Sequence, residues 1–107
     1  MPRFVLAALA FAATAALAAD PPQFSLTIEG HKFTPERIEI PAGQKVKLVI
    51  ENKDDSAEEF DSSDLRTEKV VTPKSKGIVY IGPLKAGEYK FMGEFHPQTA
   101  HGVVVAK

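Results

Sequence analysis

The residues with the most chemical potential crowd the C-terminal fifth of the chain. Met92, Glu94, His96 and His101 fall within Gly87–Gly102, just before Val103-Val104-Val105. Two β-type runs, Tyr89–Met92 and Val103–Lys107, flank a loop that carries a carboxylate and two imidazoles, with a thioether at its entrance. A loop between adjacent strands of a rigid sheet is where a small β protein usually keeps its chemistry. Imidazole, carboxylate and thioether all ligate metals, and together they span hard to soft preference. The competing interpretation of the same spacing is a surface hairpin, since His and Glu are common in solvated loops. Further donors stand upstream at His31, Glu58, Glu59, Asp61 and Asp64.

These residues need a scaffold. Met1-Pro2-Arg3 is a short basic opening, and Phe4 to Leu17 is a nearly unbroken apolar run closing on Ala16-Leu17-Ala18. That pattern is a secretory signal peptide over residues 1–18, too short for a bilayer span. Cleavage leaves residues 19–107, enough for a single small domain. The chain has no Cys, so no disulfide can staple this exported domain, and stability must come from a sheet core or a bound ion. The formal net charge is −1, with no basic patch of the kind that binds nucleic acid. With no second apolar run of membrane length, the mature protein is expected to be soluble and outside the cytoplasm, without membrane insertion after cleavage.

The mature chain reads as strands. Phe24, Leu26 and Ile28 alternate with Ser25, Thr27 and Glu29, the period of a half-buried strand. Arg37–Ile40 and Lys45–Asn52 alternate likewise. Glu58–Phe60, Glu68–Thr72, Ile78–Ile81, Tyr89–Met92 and Val103–Lys107 follow, and turn signals recur every 8–12 residues. No mature segment keeps a 3.6-residue period. The expected fold is all-β, a Greek-key β-sandwich of about seven or eight strands. Its expected core holds Phe24, Leu26, Ile28, Val46, Leu48, Ile50, Phe60, Ile81, Phe91 and Val103. Tyr89, two residues after Gly87 at the start of a late strand, fits a tyrosine corner.

Phe33-Thr34-Pro35, Ile38-x-Ile40-Pro41-Ala42-Gly43, the Asn52 loop, Glu58-Glu59-Phe60, Pro83-Leu84-x-x-Gly87-x-Tyr89-x-Phe91 and Gly93-Glu94-Phe95-His96 together resemble the cupredoxin superfamily. More narrowly, the Glu-Glu-Phe and Gly-Glu-Phe-His segments resemble small periplasmic cupredoxin-like proteins of bacterial iron uptake. Those work beside an iron permease and a copper-dependent periplasmic partner. The resemblance implies a sandwich that binds copper or iron and handles or oxidises ferrous iron. It also exposes a departure. Blue-copper carriers hold the metal with His, Cys, His and often Met, with the Cys about three residues before the second His. Here that position is Gly93, and Glu58-Glu59 stands where the first His would be. A chain without Cys cannot form the copper–thiolate bond of a blue electron carrier. Carboxylate plus imidazole suits Cu(II), Fe(II), Fe(III), Mn(II) or Zn(II).

The candidate ligands are His96, Glu59, His31, Glu94 and Glu58. Sandwich topology and the resemblance both point to His96. Glu59 is slightly favoured over Glu58 on resemblance, although strand alternation places Glu58 on the side of Phe60. His31 follows a strand break that could bring it to the same end of the sandwich. Met92 is a packing residue or a weak soft ligand, Asp61 and Asp64 form turn caps or a second acidic site, and His101 is a surface residue. No nucleophile–base pair with hydrolytic spacing, phosphate-cradling loop or nicotinamide fingerprint occurs. The expected function is periplasmic binding of copper or iron, as a ferrous-iron oxidase or an accessory to one, with iron-uptake proteins as partners. The alternative is a metal-free sandwich that serves as an interaction or adaptor module, its Glu-rich edge meeting a partner.

Overall fold

The computed structural model describes residues 20–107, so the signal peptide expected over residues 1–18 lies outside the described residues. Nine strands follow in chain order: β1 (Gln23–Glu29), β2 (Lys32–Thr34), β3 (Arg37–Ile40), β4 (Val46–Asn52), β5 (Glu58–Ser62), β6 (Thr67–Val71), β7 (Lys76–Ile81), β8 (Gly87–Gly93) and β9 (His101–Ala106). They form two mixed sheets, ordered β2-β1-β4-β7 and β3-β9-β8-β5-β6. β1 runs parallel to β4 and β3 parallel to β9, while the remaining pairs are antiparallel. The fold is therefore the expected all-β sandwich.

Alternation explains what lies between the sheets. Leu26 and Ile28 of β1, Val46, Leu48 and Ile50 of β4, and Val79 and Ile81 of β7 turn inward from the first sheet. Phe60, Phe91, Val104 and Ala106 meet them from the second. Phe33, Phe60 and Phe91 interlock at the centre, with ring centroids 5.1–6.1 Å apart. Such contacts add about 0.5–1.5 kcal/mol each beyond their buried area. The Tyr89 hydroxyl donates to the Lys85 carbonyl at 2.8 Å, which closes the corner its position predicts.

Two details differ from the sequence expectation, and both shape the functional end. Nine strands form rather than seven or eight, partly because Gly30 and His31 both adopt positive φ, 63° and 57°. That pair makes the two-residue hairpin turn whose twist matches its strands, so β2 becomes a strand of its own. β9 starts at His101 rather than Val103, which sets its inward residues as Gly102, Val104 and Ala106. Val103 consequently faces outward and is half-buried, and Phe24 is only partly buried at the rim of the core.

Candidate metal centre

Three connections converge at one end of the sandwich: the β1–β2 turn, the β4–β5 loop and the β8–β9 loop. At their meeting point stands Glu58, the first residue of β5, with 1% of its surface exposed. It is buried because β5 alternates Glu58, Phe60 and Ser62 inward against Glu59 and Asp61 outward. A buried carboxylate is costly unless its oxygens are bonded, and these are. Oε1 accepts from the Glu59 amide at 3.0 Å and the Phe95 amide at 2.9 Å. Oε2 meets Nδ1 of His96 at 2.5 Å. Among the described residues no buried side-chain polar atom lacks a partner.

The β8–β9 loop delivers His96. Gly93 accepts from the His96 amide at 3.2 Å and donates its own amide to Ala100 at 2.8 Å. The His96 carbonyl accepts from Thr99 and Ala100, at 3.2 and 2.9 Å. These bonds curl residues 93–100 into a tight cup, and the Thr99 hydroxyl fastens the cup to the His31 carbonyl at 2.5 Å. His96 keeps 25% of its side chain exposed, so one edge of the ring reaches solvent while Nδ1 faces the carboxylate.

His31 is the third member. Its ring stacks on His96, with centroids 3.6 Å apart and planes 8° from parallel, and its Nε2 lies 3.3 Å from the Ser56 hydroxyl. His31 thus covers one face of His96 rather than pointing at the Glu58 carboxylate. Asp54 fixes the turn that presents it, accepting from the Gly30 and His31 amides at 2.8 and 2.9 Å. The His31 amide is the main cause that holds the Asp54 carboxyl below its usual value. Burial opposes it, and the Gly30 amide and nearby His31 and Lys74 add to the lowering. Buried Asn52 shapes that loop in turn: its amide donates to Ser56 and Val71 carbonyls, and its oxygen accepts from the Asp54 amide at 3.0 Å.

Of the five candidate ligands, the structure brings Glu58, His96 and His31 together and places Glu59 and Glu94 elsewhere. Glu58 faces inward, as strand alternation expects, and Glu59 faces outward. Glu59 is on the outer face of the second sheet, where one carboxylate oxygen each from Glu59, Asp61 and Glu68 lie within 4.8 Å of one another. Desolvation, then Glu68, then Asp61 and Glu94 push its carboxyl upward. Glu94 is exposed, its amide bonded to the Glu59 carbonyl at 2.9 Å. Met92 also faces outward, paired across the strands with His101 and with Asp61. Asp64 accepts from the Lys90 amide of β8 at 2.9 Å, and it is the Ser62 hydroxyl that caps the turn after β5, accepting from the Leu65 amide at 3.0 Å. Residues the sequence reading did not single out are Asp54, Ser56 and Thr99, whose roles depend on contacts between loops distant in the chain.

With this geometry in place, comparison with known proteins fixes the class. Residues 2–106 match the cupredoxin-like domain family, and the chain belongs to that family. A relative, an uncharacterized protein of Rickettsia prowazekii (strain Madrid E), is 42% identical over 83 residues, covering 78% of this chain and 66% of the relative. The match therefore spans just under two thirds of that relative's length. Among solved structures, auracyanin A, a "blue" copper protein from Chloroflexus aurantiacus, superposes with a TM-score of 0.70 at 13% identity, covering 81% of this chain and 99% of its own. An apo copper binding protein solved by NMR gives 0.70 at 22% identity, with 79% and 86% covered. The metal binding domain of the Streptococcus pneumoniae D39 Cu(I) exporting ATPase CopA gives 0.70 at 13%, with 79% and 84% covered. At these identities the likeness shows a shared fold.

Proposed function

We propose that the protein binds a copper or iron ion through the Glu58 carboxylate and the His96 imidazole, and that in the periplasm it handles or oxidises ferrous iron for a high-affinity iron permease. One observation carries the binding: a carboxylate with 1% exposure holds an oxygen 2.5 Å from Nδ1 of a partly exposed imidazole, a hydrogen-bonded pair of donors that an ion would take over by displacing the shared proton to solvent. The donor set fits such an ion, since carboxylate oxygen and imidazole nitrogen without thiolate suit Cu(II) and iron in either oxidation state. Copper-binding proteins of the same fold support copper, and the resemblance to iron-uptake proteins supports iron.

Each neighbouring residue has a task in this proposal. The Glu59 and Phe95 amides hold Glu58 in one orientation, leaving Oε2 as the outward donor. Packing beside Gly93 and the fully buried Ala100 leaves the Glu58 side chain 1% exposed and keeps water from the carboxylate. His31 fixes the plane of His96 by stacking and supplies a further imidazole at the rim. A bound Cu(II) would supply a one-electron acceptor for Fe(II) delivered as cargo. An anionic ligand compensates the extra charge of Fe(III) better than neutral imidazoles do, so this chemistry favours the oxidised ion.

Metal analysis of the mature protein and anaerobic titration with Cu(II) and Fe(II) test the proposal. Wild type should take up about one ion of at least one kind, and His96→Ala should lose it. The copper-loaded protein should lack the intense blue thiolate band. Stoichiometric binding that survives both His96→Ala and Glu58→Gln would refute this site, and no binding by wild type would favour the adaptor function instead.

A further inference from the structure

Gly93 lies at the end of β8, buried on the inward side of the sheet, and its backbone does not need a glycine. The positive-φ glycines are Gly30, Gly43, Gly82 and Gly87, so the conformation at 93 would accept any L-residue. Space is what forbids a side chain. A Cβ at 93 would stand 2.6 Å from the Ala100 Cβ, 2.6 Å from the Glu58 carboxyl carbon and 2.8 Å from its Oε1. Real Cβ atoms do not approach that closely. Ala100 has no torsion with which to retreat and is fully buried. Glu58 is pinned by two amides and by His96. Residue 93 and the Glu58 carboxylate thus compete for one volume.

We propose that Gly93 determines which donor set this site can hold: by carrying no side chain, it admits the Glu58 carboxylate and excludes a thiolate from the loop. This deepens the metal-site proposal and rests on it. Residue 93 sits three before His96, the place where the blue-copper pattern puts Cys. Exchange at this one position would set the ligand as carboxylate or thiolate, and with it the preference for harder or softer ions. Gly93 is a positioning residue, since it touches the ligand rather than the ion.

A double-mutant cycle on the metal-free protein tests the shared volume. All proteins carry Ala100→Gly, so that Glu58 is the remaining obstacle. Gly93→Ala should lower the melting temperature strongly when Glu58 is present and far less beside Glu58→Ala, the non-additivity expected of residues in contact. Gly93→Ala should also weaken Cu(II) binding by roughly tenfold or more, as loss of ligand orientation does. A third arm is read in the same Ala100→Gly background, since the Ala100 Cβ would obstruct a side chain at 93 whatever stands at 58. Gly93→Cys should give no Cu(II)–thiolate absorption while Glu58 is present, and Gly93→Cys/Glu58→Ala should give it. Equal melting-temperature losses in both backgrounds, or a full thiolate band with Glu58 intact, would overturn the proposal. A coupled cycle in a wild type that binds neither ion would instead refute the metal-site function, so the two failures are distinguishable.

Discussion

Replacing Glu58 with Gln separates what this residue does for the fold from what it does for a metal. The substitution keeps shape, and the amide oxygen can still accept from the Glu59 and Phe95 amides. Converting the two amide bonds to neutral ones costs about 1 kcal/mol each, and the third bond survives in reversed sense, with the Gln amide donating to Nδ1 of the other His96 tautomer. Removing a buried charge returns several kcal/mol of desolvation in part, because the charge is already well compensated. The two nearly offset, so metal-free stability should move by no more than about 1 kcal/mol, or roughly 4–8 °C for a domain of this size. Metal-dependent stability should collapse. At a Cu(II) concentration one hundred times its dissociation constant, wild type gains about 2.7 kcal/mol, roughly 10–20 °C. Loss of an anionic ligand weakens binding by about a hundredfold or more, leaving a gain of about 0.4 kcal/mol and 2–3 °C at the same concentration. Differential scanning fluorimetry of both proteins, with and without Cu(II), reads all four values. A variant that keeps the full copper-induced shift would show that Glu58 is not a ligand.

Asn52→Ala removes a 1%-exposed amide that ties the β4–β5 loop to β6, leaving several polar groups without a partner. We expect a loss of about 2–4 kcal/mol by urea denaturation, and a loss below 1 kcal/mol would contradict the role assigned to it. Asp54 has its carboxyl lowered from the ordinary 3.8, chiefly by the His31 amide. Its stabilisation is therefore fully present above that value and disappears as pH falls through the lower folded one. Allowing for solvent screening, Asp54→Asn should cost about 1 kcal/mol at neutral pH and flatten the acid limb below about pH 4, measured as stability against pH. An unchanged acid limb would count against the turn-pinning role. Tyr89→Phe should cost about 0.5–1.5 kcal/mol through loss of the bond to Lys85, with the copper-induced shift unaltered.

Much of the fold could be read from the chain because alternation is a local signal. Eight of the ten expected core residues are fully buried, and the two exceptions have a physical cause. The sequence does not place Val103 correctly because three consecutive valines do not reveal their own phase. The phase is set at His101, where β9 begins pairing with Met92, and by Gly102, whose missing side chain makes room for the Phe91 ring. Phe24 is the second residue of β1 and packs only partly buried against the core cluster. The β1–β2 hairpin is not legible in the sequence because Gly-His is not one of the dipeptides that mark a two-residue hairpin, and what holds the turn is Asp54, a side chain far along the chain.

The site divides along the same line between local and distant information. Alternation within Glu58-Glu59-Phe60 already distinguished the inward carboxylate from the outward one, yet two adjacent glutamates look alike in composition and resemblance alone weighted the outward residue. Their environments then drive them to opposite behaviour. Glu58 is inside and its oxygens are consumed by two amides and an imidazole, so its charge has compensation and a fixed aim. Glu59 is outside beside Asp61, Glu68 and Glu94, and desolvation, then these neighbouring carboxylates, push its carboxyl upward. The residue that lets Glu58 take the inner position is Gly93, and a missing side chain sends no signal of its chemistry in a sequence. Its effect becomes visible only when β5 and β8 are side by side, with Phe60 paired to Gly93. The donor set of this site is thus decided as much by an empty position on one strand as by the carboxylate on the next.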